Sequence, residues 1–477
     1  MVAISDYVKH DAIGLADLVR RGEASPRELA DAALALIEKH NPALNAITQR
    51  MDDYAAKAIA SGLPDGPLRG VPFLLKDLFA NVPGVPSNNG SALFRGWLPP
   101  YESTLVRKAR EAGLVLLAKT ASPEFGVIPT TEPKAYGPAR NPWNTAHTPG
   151  GSSGGAAVAV AAGIVPAAHA SDGGGSIRIP ASCCGIFGLK PSRGRISTGP
   201  VEADGWNGLA TSGVVSRSVR DSALLLDLLE GGDPGEPAAA PPKARPFAEE
   251  VGRNPGRLRV AVSRRTASHV RVDPDCLAAL DDAAKLMESL GHELVEAEPE
   301  IDFDAFEEGF WRVIGANTAA DLIELSALFG RDVALADVER WTVNLARSVD
   351  GLSAGAFMLA FRNLWRLHRP MGDFLARHDV MLTPTLGSPP LPLGTLDTDM
   401  ADSDELRRRI NAFIPYTPVA NAFGLPAMTV PLWWNAAGLP VGVMFQARLG
   451  ADDMLFRLAA QLEQARPWKD RHPPIWG

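Results

Sequence analysis

The sequence predicts an α/β architecture in which strands, at least some of them parallel, are covered by helices. Three observations carry that prediction. The first is a strand–helix–strand unit. "LRVAVS" (258–263) is a short apolar run, Leu277, Leu280, Ala284 and Met287 then recur at helical spacing up to Gly291, and "HELVEA" resumes extended structure. Such a crossover makes its two strands parallel neighbours with the helix packed on their face. The second is a pair of apolar runs bounded by glycine and charge, "GVPFLLKDL" (70–78) and "AGLVLLAKT" (112–120), which read as buried strands. The third is composition: 46% hydrophobic and 21% charged residues over 477 positions are ordinary for a globular chain with a sizeable core.

The remaining elements follow in chain order. In "ASPRELADAALALIEKHNP" Ser25 is an N-cap, Pro26 takes the first helical position and Glu28 reaches back from the third. Leu29, Ala33, Leu36 and Ile37 line one face, and Asn41-Pro42 is the expected stop. The Pro-, Gly- and Ala-rich stretch that begins "GGDPGEPAAAPPKARPF" (231–247) and runs on to about 257 reads as a surface connection. From about 304 to 370 the chain is mainly helical and rich in aromatics, among them Phe310, Trp311, Trp341, Phe357, Phe361 and Trp365, for which core packing is the default. Short strands return at "VMLTPT" (380–385), "PAMTVPL" (426–432) and "PVGVMFQ" (440–446).

Charge and cysteine usage exclude several classes. A net charge of -8 lacks the basic footprint of a nucleic-acid binder, and Arg407-Arg408-Arg409 reads as a solvated helix face. Cys183, Cys184 and Cys276 form no disulfide framework and suit a reducing compartment. The opening "MVAISDYVKHDAIG" has no apolar signal-type core, and the run from Ala156 to Ala168 is too short to span a bilayer. The expectation is a cytoplasmic protein with no membrane contact.

Two Gly/Ser knots carry the chemistry, "GGSSGG" (150–155) and "DGGGSIR" (172–178). The first fails as a phosphate loop because no Lys-Ser or Lys-Thr pair follows its glycines, and it fails the G-x-G-x-x-G spacing as well. A nucleophile elbow nearly fits it but leaves the second knot unexplained. In the second knot three glycines let successive N–H groups converge into an anion nest. Gly173, Gly174, Gly175 and Ser176 would then supply donors for a developing oxyanion, with the Ser176 hydroxyl beside the carbonyl carbon. The missing base is harder to find. Nothing aims His169 at Ser176, so His169 reads as structural. Lys76 sits in a strand-like apolar run where a charge has no packing reason to be, and burial would lower its pKa. Ser152 could relay a proton between the two.

With those residues in view, "GGSSGG" followed by "SDGGGSIRIPASCCGIFGLKPSRGRIS" closely resembles the amidase signature family, and "GVPFLLKDL" resembles that family's lysine strand. The 24-residue interval between Ser152 and Ser176 matches as well, and the likeness continues through "TTEPKAYGPARNPWN" (130–144), "DVMLTPTLGSPP" (379–390) and 421–446. The resemblance implies one α/β/α domain over 1–477 around a mixed, mostly parallel sheet, with no metal and no organic cofactor. It implies Ser176 as nucleophile, Ser152 as bridging serine after a cis peptide bond, and Lys76 as general base. Asp172 and Arg178 would hold the nest, and Ser153 would support Ser152. One departure is Ala170-Ser171-Asp172, where the family usually has Gly-Thr-Asp.

Within the family the chain looks most like the bacterial 6-aminohexanoate-cyclic-dimer hydrolase and aryl acylamidase branch. It departs from the cyclic-dimer hydrolases at Val127-Ile128, where they carry an asparagine, and at Gly315, where they carry a cysteine. Both changes predict a more apolar or roomier pocket. The expected substrates are therefore small-molecule amides with hydrophobic or aryl groups, with esters and carbamates (urethanes) as relatives, turned over by a monomer or homodimer. Three other readings stand beside this one: hydrolysis of nylon-type 6-aminohexanoate amides, the amidase subunit of a glutamine-dependent tRNA amidotransferase, and an inactive scaffold. The presence of Lys76, Ser152 and Ser176 speaks against the last.

Overall fold

The buried apolar runs assemble into one sheet. A computed structural model describes residues 3–333 and 335–477. Its strands are β1 (Ile47–Arg50), β2 (Pro72–Lys76), β3 (Val115–Thr120), β4 (Ala167–Asp172), β5 (Phe187–Lys190), β6 (Thr211–Ser216), β7 (Arg259–Val262), β8 (Glu293–Glu296), β9 (Val380–Pro384), β10 (Ala427–Trp434) and β11 (Pro440–Ala447). They form an 11-stranded sheet in the order β1-β3-β2-β4-β6-β5-β10-β11-β9-β7-β8. The sheet is mixed, as expected, but its parallel pairings are the minority. Four are parallel: β3-β2 and β2-β4 on one flank, β9-β7 and β7-β8 on the other. The other six are antiparallel and include the whole middle of the sheet. For one of these pairs the physical reason is connection length. β10 and β11 are joined by a tight turn at 435–439, and a short turn permits only an antiparallel pair.

The strand–helix–strand unit is present: β7 pairs in parallel with β8, and the helix Pro274–Ser289 lies between them in sequence. Its buried line is Cys276, Ala279, Leu280, Ala283 and Met287, so Leu277 and Ala284 are only half-buried. Smaller side chains on that line let the helix sit close to the sheet. The first long helix carries the expected capping box, with the Ser25 hydroxyl accepting from the Glu28 amide and the Glu28 carboxylate accepting from the Ser25 amide. It does not stop at Asn41-Pro42 but runs over Pro26–Leu44 and ends at Asn45, whose φ is 49°. Proline gives up only one bond of the ladder there. The Asn41 carboxamide oxygen takes the amides of Ala46 and Ile47 at 2.8 Å and turns the chain into β1.

The stretch 231–257, which follows β6 and the helix Val219–Leu229, is a largely exposed connection carrying the chain from the middle of the sheet to β7 on the far flank. Its anchor is Phe247, which is fully buried against Phe456. The main core lies on the two faces of the sheet. A second apolar cluster, under the helices Phe303–Phe329, Arg340–Arg347 and Ser403–Phe413, gathers Val127, Ile128, Phe310, Trp311 and Trp341. Arg407, Arg408 and Arg409 lie on the exposed side of the last of these and pair with Asp404 and Glu405. All three cysteines are unpaired and buried. Among the described residues no helix is long and apolar enough to cross a membrane.

Candidate active site

Parallel β2 and β4 end side by side, and the carboxyl ends of parallel strands are where open α/β sheets place their sites. Lys76 is the last residue of β2, held there by the burial of Phe73, Leu74 and Leu75 before it. The second knot follows β4 directly and leads into the helix Arg178–Cys184, while the first knot leads into Gly154–Ala161. The chain thereby brings Lys76, Ser152 and Ser176 to one place. The Lys76 ammonium nitrogen is fully buried and lies 2.7 Å from Ser152 Oγ and 2.9 Å from Ser171 Oγ. Burial pulls its pKa from 10.5 down to about 7, against the opposing pull of the Asp172 charge. An amine of that acidity is substantially neutral at physiological pH.

The peptide bond Gly151–Ser152 is cis. Gly151 lies against the backbone of Thr130, where a Cβ would come within 2.5 Å of the carbonyl oxygen, so only glycine fits. The two knots are tied together by the Ser153 amide, which donates to the Ser176 carbonyl at 3.3 Å. Ser153 Oγ bridges the first knot to β4, donating to the Ser171 carbonyl and accepting from the Ser171 amide. Its support thus reaches Ser171, the second partner of Lys76, rather than the Ser152 hydroxyl. No hydrogen bond joins Ser152 Oγ to Ser176 Oγ among the described residues, and the Ser176 hydroxyl has none to protein.

The nest is held by a buried ion pair. Arg178 Nε and Nη2 donate to Asp172 Oδ2 and Oδ1 at 3.0 and 2.9 Å, and both side chains are completely buried. Burial alone would raise the Asp172 pKa, but the Arg178 charge and its hydrogen bonds win and hold it down at about 2. The carboxylate also accepts from the amides of Gly175 (2.8 Å) and Ile177 (3.2 Å). This corrects the donor set read from the sequence, because the Gly175 N–H is committed to Asp172. Among the described residues the amides of Gly173, Gly174 and Ser176 donate to no protein group. Gly175 itself has φ 130° and lies against Thr417, a position no side chain could share.

Several residues of the site were not read from the sequence. Ser171 is one. Asn421 is another: its Nδ2 donates to Asp172 Oδ1 at 2.8 Å and its Oδ1 accepts from Arg178. Thr417 Oγ1 donates to the Gly174 carbonyl at 2.7 Å. His169 is structural, as expected. Its Nδ1 accepts the Lys76 amide, and burial, then the Lys76 and Lys119 charges, press its pKa to about 3.

Ser176 opens onto a cavity whose walls include Val127, Ile128, Trp206, Phe310, Trp311 and Ile314. Val127 and Ile128 are thus part of the cavity wall beside Ser176. Gly315 is not. It is buried against the helix Arg340–Arg347 and the residues after it, where a Cβ would meet Ser348 Oγ at 2.6 Å and the Leu345 carbonyl at 3.0 Å. The glycine serves close helix packing, and its neighbour Ile314 faces the cavity. The Val127 wall is pinned by Trp341, whose indole N–H donates to the Val127 carbonyl at 3.1 Å. Beneath it Glu124 accepts from Ser91, Thr342 and the Glu339 amide, each at 2.7 Å, and burial raises its pKa to about 7. Among the described residues no group of three or more His, Cys, Asp or Glu side chains could hold a metal ion.

Comparison with known proteins agrees with this geometry. The family model described as Amidase matches residues 28–456. The 6-aminohexanoate-cyclic-dimer hydrolase of Paenarthrobacter ureafaciens is 38% identical over 98% of this chain and 96% of its own length. A solved 6-aminohexanoate cyclic dimer hydrolase complexed with substrate superposes with a TM-score of 0.92 at 35% identity, covering 98% of this chain and all of that one. A bacterial aryl acylamidase of the amidase signature family superposes at 0.85 with 29% identity, covering 96% of each chain. The chain belongs to the amidase signature family of amide hydrolases.

Proposed function

We propose that this protein cleaves amides bearing hydrophobic or aryl groups through a Ser176 acyl-enzyme, and that esters and carbamates are related substrates. The observation that carries the reading is the completely buried Lys76 amine, lowered to about 7, on the Ser152 hydroxyl. In the reaction, substrate enters the apolar cavity and the Ser176 hydroxyl turns onto Ser152, a contact of the kind that tightens only once substrate is bound. Ser176 Oγ attacks the acyl carbon and passes its proton to Ser152, which passes its own to neutral Lys76. The oxyanion is met by the amides of Gly173, Gly174 and Ser176, fixed in advance by the Asp172–Arg178 pair. The proton returns by the same path to the leaving nitrogen as the C–N bond breaks. Water then attacks the acyl-enzyme ester and gives a proton to Lys76 through Ser152; that proton goes back by the same path to Ser176 Oγ as the acyl C–O bond breaks and the acid leaves, which restores Ser176 and neutral Lys76.

The apolar walls favour hydrophobic acyl or leaving groups. Amide, ester and carbamate share the attacked carbonyl and differ only in what leaves. Identity of 38% over nearly the whole chain supports a second reading, hydrolysis of 6-aminohexanoate amides. A panel of an anilide, an aryl ester, an aryl carbamate and the 6-aminohexanoate cyclic dimer, each with wild type and Ser176→Ala, tests both. Turnover of only a small polar amide such as malonamide would overturn the apolar-pocket argument.

A further inference from the structure

The cavity at Ser176 is not alone. A second, smaller hollow adjoins it, and Phe310, Trp311 and Ile414 line both. Both are lined from the helix Phe303–Phe329, along which Glu307, Phe310, Trp311 and Ile314 stand at i, i+3, i+4 and i+7. These residues form one stripe on one helical face. The stripe is apolar except at its first member. Phe310 lies at the nest, with its ring 3.3 Å from where a Cβ on Gly174 would be, and Glu307 is one turn (~5 Å) further along.

The Glu307 carboxylate is set into that cavity in a specific way. Its Oε1 is occupied: Asn411 Nδ2 donates to it, and His269 Nε2 lies 3.5 Å away. Asn411 is itself fixed by the Trp311 indole N–H, which donates to its Oδ1 at 2.8 Å. No hydrogen bond or ion pair among the described residues engages Oε2, though the side chain is only 20% exposed. That oxygen is not among the buried unpartnered polar atoms, so water reaches it, and with the His269 and Arg407 charges nearby it is a carboxylate oxygen that a ligand's cationic or N–H group can take in place of water. Phe303, Phe306, Pro415 and Pro418 in the cavity wall offer no donor, and the N–H groups of Trp311 and Asn411 go to Asn411 Oδ1 and Glu307 Oε1.

We infer that the cavity holding Glu307 and Asn411 is a second subsite, which takes a protonated amine at the end of an apolar spacer on the substrate cleaved at Ser176. The inference rests on the proposed function and adds a charge requirement to it. One helical turn plus the reach of the side chains suits a spacer of about four to six methylenes, at roughly 1.2 Å per bond of extended chain. Glu307 is thus a specificity residue that does not touch the reacting atoms.

The test uses two anilides matched in length, 6-aminohexanoyl and heptanoyl p-nitroanilide, and reads the ratio of their kcat/KM values in mildly alkaline buffer. Wild type is expected to favour the amine. Glu307→Gln, which keeps the shape and the Asn411 contact, is expected to lower the ratio by about tenfold to a hundredfold, as for loss of a charge-assisted hydrogen bond. The ratio is insensitive to any general loss of folded enzyme. As an independent readout, hexylamine should inhibit heptanoyl anilide cleavage by wild type and lose that effect in Glu307→Gln. Turnover of both anilides with a ratio unmoved by the substitution overturns this inference alone. Turnover of neither anilide by wild type overturns the proposed function and this inference with it.

Discussion

Replacing Lys76 by methionine should abolish amide hydrolysis and, at neutral pH, make the fold more stable. The structure fixes the size of the effect. Burial moves the Lys76 pKa from 10.5 to about 7. At ~1.4 kcal/mol per unit, holding the amine there costs the folded state ~5 kcal/mol at and below neutral pH. Methionine removes that cost but leaves Ser152 and Ser171 without their donor, at ~1–1.5 kcal/mol each, for a net gain of about 2 kcal/mol. The sign of the pH dependence is distinctive. Between about pH 7 and 10.5 the unfolded chain binds a proton at this position and the native chain does not, so Lys76 makes native stability rise with pH. Urea titrations of wild type and Lys76→Met at several pH values within that window isolate the term as a difference, since every other titrating group is common to both. The variant should be the more stable at pH 7 and should lose its advantage as pH rises, at ~1.4 kcal/mol per unit. Difference curves that stay flat would refute the reasoning, because they would mean that Lys76 titrates alike in both states.

Other substitutions follow from the same geometry. Arg178→Met leaves the Asp172 carboxylate buried without its charge partner and should destabilise the fold by ~3–5 kcal/mol in urea titrations. Ser171→Ala removes one of the two hydroxyls on Lys76 and should lower kcat/KM about tenfold while moving its pH midpoint downward. Ser171→Thr, which restores the hydroxyl, should recover both, whereas a purely structural role would leave the midpoint in place. Gly315→Cys forces side-chain atoms against Ser348 and Leu345 and should cost ~1–3 kcal/mol of stability, with no change in substrate preference on the panel.

The residues proposed for catalysis were legible because each breaks a local rule. Lys76 is a charge inside an apolar strand, and Ser176 ends a glycine run too flexible to serve packing. Ser171 breaks no rule, since a serine at the end of an alanine-rich strand resembles filler. Asn421 and Thr417 approach the nest across more than 240 residues of chain, a distance no spacing argument covers. The same limit hid β4, β5 and β6, whose Ala-, Gly- and Ser-containing runs have weak strand propensity and are strands because their neighbours pair with them. It also misassigned Gly315: position in a helix was readable, but which side of the helix met the cavity was not. The Gly175 amide was miscounted as an oxyanion donor because sequence shows a nest of glycines and not which N–H the flanking aspartate takes.

The central claim is that the amine of residue 76 accepts the proton. The most direct measurement is the pH profile of kcat/KM for an anilide, which reports ionisations of the free enzyme. The account predicts an ascending limb with a midpoint near 7, the value set by the burial of Lys76, which disappears from whatever slow hydrolysis Lys76→Ala retains. A limb that rises only near the ordinary lysine value, or the same limb in both enzymes, would contradict it.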